Sequence, residues 1–378
     1  MKKIVRTAAL IAAMSLLVTS CSKGSEEAVV SETPAPSQAP ETLWPFTQLP
    51  GPADAAEKPV LAIKIENDPS VRPQYGLDMA DIVFEELVEG GMTRFISVFQ
   101  SEIPEEAGPV RSGRHVDASI VSTFADYFVF SGAARATLNY FSKTIPESVV
   151  ISTEGAPGMH RTKYHPMPHN LFMYPQELID SNKAAVSKTD GFFVKPTTGT
   201  PITGTAINKV ALQFSQGSKP NWTWDAATSL WLRDDGKKPH MAISGKQLSA
   251  TSLVVIRATE TDAGYKGSTG GYVPRTVVTG TGKGYLIIGD TMTEVTWSKA
   301  DDVSQMSLTD SLGNIVHPAP GKTWVEIITT SGDVSFTPAV APASSPSPSK
   351  SYRIKRYLAG EFHLEHLQQL REDELRAL

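Results

Sequence analysis

Arginines, carboxylates and histidines crowd the stretch from Arg72 to Asn170, and its densest segment is Gly108-Pro109-Val110-Arg111-Ser112-Gly113-Arg114-His115. A Gly-Pro turn leads there through two arginines into a run that reads as a helix from about Val116 to Phe124. The start of a helix presents unpaired backbone N–H groups and the positive end of its dipole. A guanidinium grips carboxylate or phosphate through two parallel hydrogen bonds. Arg111 and Arg114 at such a helix start, joined by Arg94 from a nearby strand, are expected to bind an anion. The alternative, of equal weight, is that both pair internally with Glu85, Glu86, Glu89 or Asp117.

The acids Asp81, Glu85, Glu86 and Glu89 offer carboxylates for general acid–base work of the kind glycan hydrolysis uses. Strand alternation puts Glu85 and Glu89 on one face and Glu86 on the other. Carboxylates within a strand are more often ion-paired or solvated, so Asp81, Glu85 and Glu86 are weak catalytic candidates. His160, His165 and His169 fall within ten residues, but their spacing matches no zinc pattern, and Pro166 and Pro168 mark an irregular loop. No metal is expected. His169 and Asn170 are placed with the ligand-binding residues, in a supporting or turn-stabilising role. Ser131-Gly132 follows a predicted strand, where a nucleophile could sit, yet the chain has no Gly-x-Ser-x-Gly elbow. It also lacks a Walker loop and a Gly-x-Gly-x-x-Gly after a strand, so no cofactor is expected.

The elements that position these residues alternate between short strands and helices. Val60 to Ile65 is strand-like and ends in the turn Asn67-Asp68-Pro69. Ile82 to Val88 and Thr93 to Phe99, separated by Glu89-Gly90-Gly91-Met92, read as a hairpin. Alternation in its second run sets Phe95, Ser97 and Phe99 against Arg94, Ile96 and Val98. A strand at Tyr127 to Phe130 and a helix from Pro175 to Val186 complete an α/β or α+β N-terminal domain over residues 45–200. Beyond the turn-rich Lys195 to Gly204, strand-like runs predominate, giving a mostly β C-terminal domain over residues 205–335. Its Trp222, Trp224, Trp231, Trp297 and Trp324 could form a glycan platform, but aromatics spread across a β domain are more often core.

The chain opens with Met-Lys-Lys-Ile-Val-Arg and an apolar stretch from Ala8 to Val18. That stretch is too short for a bilayer, which needs about 20 apolar residues, and has the length of an export signal's core. Leu17-Val18-Thr19-Ser20-Cys21 resembles the lipobox of bacterial lipoproteins, in which the cysteine sulfur is acylated and becomes the new N-terminus. Residues 1–21 are thus read as a signal peptide ending at a lipidated Cys21. Residues 22–44 follow as a disordered tether rich in Pro, Ser and Glu. A Pro/Ser linker spans 337–350, and in the tail 351–378 Leu358, Phe362, Leu367, Leu370 and Leu375 recur at roughly helical spacing among charges. A net charge of −5 without a basic run argues against nucleic acid as a partner.

Several segments together resemble the YerB-like lipoproteins. They are Ile65-Glu66-Asn67-Asp68-Pro69, Ala80-Asp81-Ile82-Val83-Phe84-Glu85-Glu86, Glu89-Gly90-Gly91-Met92-Thr93-Arg94-Phe95, the Gly108 to Arg114 segment, Pro168-His169-Asn170-Leu171 and Gly321-Lys322-Thr323-Trp324-Val325. The resemblance spans roughly residues 45 to 330 and implies a two-part extracytoplasmic module of Gram-positive bacteria. It brings no catalytic residues to carry over. The resulting expectation is a lipoprotein anchored on the outer face of the cell membrane. It would be a non-catalytic envelope protein that binds an anionic cell-wall or membrane component, or a protein partner, around Arg94, Arg111 and Arg114. The rival is a cell-wall-active enzyme. One form is a glycan hydrolase using Glu85 or Glu86, the other a polyprenyl-phosphate-linked glycopolymer transferase in which Asp81 holds a metal. A third reading is a structural adaptor that recruits a partner through its C-terminal helix.

Overall fold

The computed structural model describes residues 42–182, 186, 188–196, 202–267 and 270–339. Cys21, most of the N-terminal tether, most of the Pro/Ser linker and the C-terminal tail lie outside the described residues; Thr42 to Trp44 of the tether are described, with Leu43 bridged to Pro50. In the N-terminal part, apolar runs broken by Gly, Pro and Asn form β1 (Leu61–Glu66), β2 (Ile82–Leu87), β3 (Thr93–Phe99), β4 (Tyr127–Val129) and β5 (Val150–Ser152). The helices are α1 (His115–Val121), α2 (Arg135–Thr144) and α3 (Pro175–Ser181), with the small ribbon β6 (Met159–Arg161) and β7 (Leu171–Met173) before the last. The C-terminal part begins with β8 (Thr205–Gln213), β9 (Pro220–Asp225), β10 (Leu230–Asp235), β11 (Lys238–Pro239) and β12 (Ser249–Ala250). It continues through β13 (Ser252–Lys266), β14 (Tyr272–Val277), β15 (Gly280–Ile288) and β16 (Thr291–Lys299). The final strands are β17 (Ser307–Thr309), β18 (Ile315–Val316), β19 (Thr323–Thr329) and β20 (Asp333–Pro338).

Strands therefore dominate both parts. The C-terminal part is mostly sheet, as expected. In the N-terminal part the helices are only 7, 10 and 7 residues long, and parallel pairing of β1 with β4 and of β4 with β5 is confined to one edge.

A mixed sheet runs through both parts. β5, β4 and β1 are parallel; β3 lies antiparallel between β1 and β2. Next to β2 comes β19, parallel to it, and then β13, parallel to β19. β15, β16, β17 and β18 continue the sheet antiparallel to its end. A second sheet of β20, β8, β9 and β10 is built from the C-terminal part.

Central strands covered on both faces carry apolar residues on both faces, and β1, β2, β3 and β19 are buried throughout. Two cores result, divided by sheet face rather than by sequence domain. On the helix side, Ala62, Phe84, Ile96 and Val98 pack with Val116, Ile120 and Phe141 and with Val254, Val325 and Trp297. On the other side, Ile63, Val83, Phe95 and Phe99 pack with Val210, Trp222, Trp231, Val255 and Trp324. The tryptophans thus serve as core, with Trp224 partly buried beside Trp231.

Candidate functional site

The Gly108 to Arg114 segment is stitched across the carboxyl ends of β1 and β4. Glu66 N–H donates to the Pro109 carbonyl at 2.9 Å and Arg111 N–H to that of Lys64 at 2.8 Å. On its other side, Ser131 N–H donates to Arg111 O and Gly113 N–H to Gly132 O, both at 3.0 Å. Gly113 is required here, because a Cβ would lie 2.9 Å from the ring of Phe141. The outcome places Arg111, Ser112, Ser131 and Gly132 beyond the ends of two parallel strands, where open α/β sheets generally bind ligands.

Three arginines converge on this edge. Strand register puts Arg94 of β3 beside Glu66 of β1 and Glu86 of β2, on the helix-side face. Arg111 Nε lies 2.9 Å from Glu66 Oε1, and His169 Nδ1 lies 2.9 Å from Glu66 Oε2. Arg114 binds Glu89 with both arms of its guanidinium, Nε at 2.8 Å from Oε2 and Nη2 on Oε1. Arg94, 4% exposed, donates to the Ser112 carbonyl at 2.8 Å, and Arg114 shares that acceptor at 3.2 Å. The same Glu89 Oε1 is 3.9 Å from Arg94 Nη2. Burial, then the neighbouring Arg114 and Arg111, pull the Arg94 guanidinium down to about 10, against Glu89 and Glu66.

Two expectations need correction. The amino end of α1 is partly capped from within, because Asp117 of its own first turn accepts from Arg114 N–H at 2.7 Å. Glu89 does not share a face with Glu85. β2 stops at Leu87, and the turn that follows breaks the alternation and carries the Glu89 carboxylate to Arg114. The internal pairing considered for Arg114 is present with Glu89, whereas the partner of Arg111 is Glu66.

The remaining candidates serve other networks. Asp81, 1% exposed, accepts from Gln100 N–H and Ser101 N–H, each at 2.8 Å. Glu85 and Glu86 are fully buried on opposite faces of the sheet. Glu86 and Asp117 flank Lys64, whose Nζ lies 2.7 Å from Asp117 Oδ1. Glu85 meets Arg233 of β10 at 2.6 Å, and Arg233 also contacts His240 Nδ1 at 2.5 Å. Glu326 of β19 stands beside Glu85 in register and accepts from Trp222 Nε1 at 2.6 Å. Burial, and then Glu85, push the Glu326 carboxyl well above its ordinary value. Asn170 is tied to Arg161 at 2.7 Å and to the Thr162 carbonyl at 3.2 Å, so it holds the β6–β7 turn. The three histidines separate: His160 pairs with Glu106 and stacks on Tyr174, His165 lies over Phe172, and His169 joins Glu66.

The family model described as the N-terminal domain of a protein of unknown function (DUF3048) matches residues 46–189, and that of its C-terminal domain matches residues 210–325. A protein of Bacillus subtilis (strain 168) named "Putative lipoprotein YerB" is 26% identical over 305 residues, which cover 78% of this chain and 88% of that one. The crystal structure of YerB protein from Bacillus subtilis aligns with a TM-score of 0.66 at 22% identity, over 78% of this chain and all of that one. The chain belongs to the YerB-like, two-domain DUF3048 family.

Within this YerB-like chain, sequence reasoning missed Lys64, Glu66, Arg233, His240 and Glu326. A signal for the first two existed: Lys64 and Glu66 share one face of an otherwise apolar strand, and a buried charge requires a partner. Arg233 and Glu85 are 148 residues apart, and no local pattern links them.

Proposed function

We propose that this YerB-like chain is a lipid-anchored envelope protein, held through Cys21 on the outer face of the cell membrane. Its N-terminal domain binds an anionic wall or membrane component at Arg94, Arg111, Arg114 and Ser112, with His169 in support. The lipobox-like segment and the name of the Bacillus relative support the anchor. Among the described residues no helix is long and apolar enough to cross a membrane.

One observation carries the ligand site. Two guanidiniums, those of Arg94 and Arg114, share a single carbonyl and a single carboxylate oxygen, with Arg111 close by. Cations crowded at low solvent exposure repel one another, and an incoming phosphate or carboxylate relieves that repulsion while gaining charge-assisted hydrogen bonds. The interior positions of Asp81, Glu85 and Glu86 favour binding over turnover.

The test is thermal unfolding with inorganic phosphate, a teichoic-acid fragment and a polyprenyl phosphate. A compound at 100 times its Kd stabilises the fold by about 2.7 kcal/mol. That gain is expected to fall at least tenfold in affinity for Arg111→Gln, whose side chain lies at the surface of the cluster. A ligand that stabilises Arg111→Gln and Arg94→Lys as strongly as the parent places its site elsewhere.

A further inference from the structure

An apolar groove of about 650 Å³ lies at the far end of the main sheet, lined by Leu43, Ile202, Ile288, Ile315, Val316 and Pro318. Ile315 belongs to the edge strand β18 and is 37% exposed; Leu43 is 41% exposed. A concave apolar surface of this kind marks a docking site. Thr197 to Pro201, the sequence between the groove residues Pro196 and Ile202, carries no large apolar side chain.

The chain itself leads an apolar segment to this place. After β20, Ala339 N–H donates to the Ala206 carbonyl at 2.9 Å. Ala206 pairs in register with Thr291, which lines the groove. The chain therefore leaves the sheet at the groove's rim. Residues 340–350 follow, a Pro/Ser stretch able to span about 34 Å at ~3.1 Å per residue. Next come Leu358 and Phe362, one helical turn apart on the same face, and then Leu367, Leu370 and Leu375.

We infer that residues 351–378 of this chain dock in this groove, Leu358 and Phe362 filling it in place of a separate partner. A tether this short gives the segment an effective concentration in the millimolar range, so even a weak apolar contact keeps it seated. Docking there occupies the edge of β18 and leaves the arginine site, at the ends of β1, β3 and β4, free for its ligand.

The test uses the full chain carrying Cys21→Ser, with one cysteine placed in the tail, Phe362→Cys, and a second at either Ile315→Cys or the exposed Leu138→Cys on α2. Under mild oxidation the 315–362 pair is expected to close a disulfide within one chain at least tenfold faster than the 138–362 pair. Equal rates, or bridging that joins two chains and rises with concentration, would overturn the inference. A second measurement leaves the tail intact. Ile202→Glu with Ile315→Glu is expected to raise amide exchange across residues 358–375 at least tenfold. Unchanged exchange in that segment also defeats the inference.

Discussion

Glu86 keeps a proton that an exposed glutamate releases. Burial does most of this and Asp117 adds to it, while Lys64 opposes; the balance pushes the carboxyl from 4.5 up to about 8. Protonated up to about pH 8, Glu86 brings no negative charge to the cluster beneath Arg94, its neighbour across the strands. Two consequences follow from the sign of the shift. Between pH 4.5 and about 8 the folded chain holds a proton that the unfolded chain has lost, so this group makes stability fall as pH rises through that window. Glu86→Gln is expected to flatten that slope, read as Tm from pH 5 to pH 9; a slope equal to the parent's would show that Glu86 is ionised in the fold. Ionising Glu86 also adds a negative charge beside Arg94. Phosphate binding at the arginine site is expected to weaken several-fold as pH rises past about 8, and to lose that part of its pH dependence in Glu86→Gln.

At the scale of elements, β10 of the second sheet is tied to β2 of the main sheet by the fully buried Arg233–Glu85 pair. Removing one member of such a pair leaves a charge buried alone, at a cost of about 3–5 kcal/mol. Arg233→Met is expected to lose that much in a urea titration, and Arg233→Met with Glu85→Gln to recover a good part of it. If the double variant is no more stable than Arg233→Met alone, the pair is not what couples the two sheets. Elements set by local pattern were legible in the sequence. Alternation placed Phe95 and Phe99 opposite Ile96 and Val98, and Gly90-Gly91 marked the hairpin between β2 and β3. The arginines were legible as a cluster because three of them flank turns. Their partners were not, since Glu66 reaches Arg111 from another strand and Glu89 changes side where β2 ends. The capping of α1 by Asp117 was hidden by the Gly-Pro turn, which drew attention to the helix start as an open anion site.

Across the whole molecule, both cores contain residues of both sequence domains, so neither domain buries its own apolar surface alone. Unfolding is expected as one transition. Five of the six tryptophans, 222, 224, 231, 297 and 324, sit in the C-terminal part, with Trp44 the exception, so their fluorescence reports chiefly on that part. Phe128→Ala, in β4 of the N-terminal part, removes a fully buried ring and costs about 3–5 kcal/mol. The tryptophan midpoint is expected to shift by the same amount as the far-ultraviolet circular dichroism midpoint. A tryptophan midpoint left in place would mean that the two parts unfold separately.

The insertion of β19 between β2 and β13 also sets an order of events in the making of the protein. β2 is complete once residue 87 has been synthesised, but the strand that covers its outer edge arrives only with residues 323–329. A β2 formed within that interval has a strand edge with unpaired N–H and C=O groups, the surface through which strands of different chains join. A gene product cut short before Thr323 keeps this edge for its lifetime. Such fragments are expected to aggregate or to be degraded, so that completion of the last strands decides whether the first ones persist.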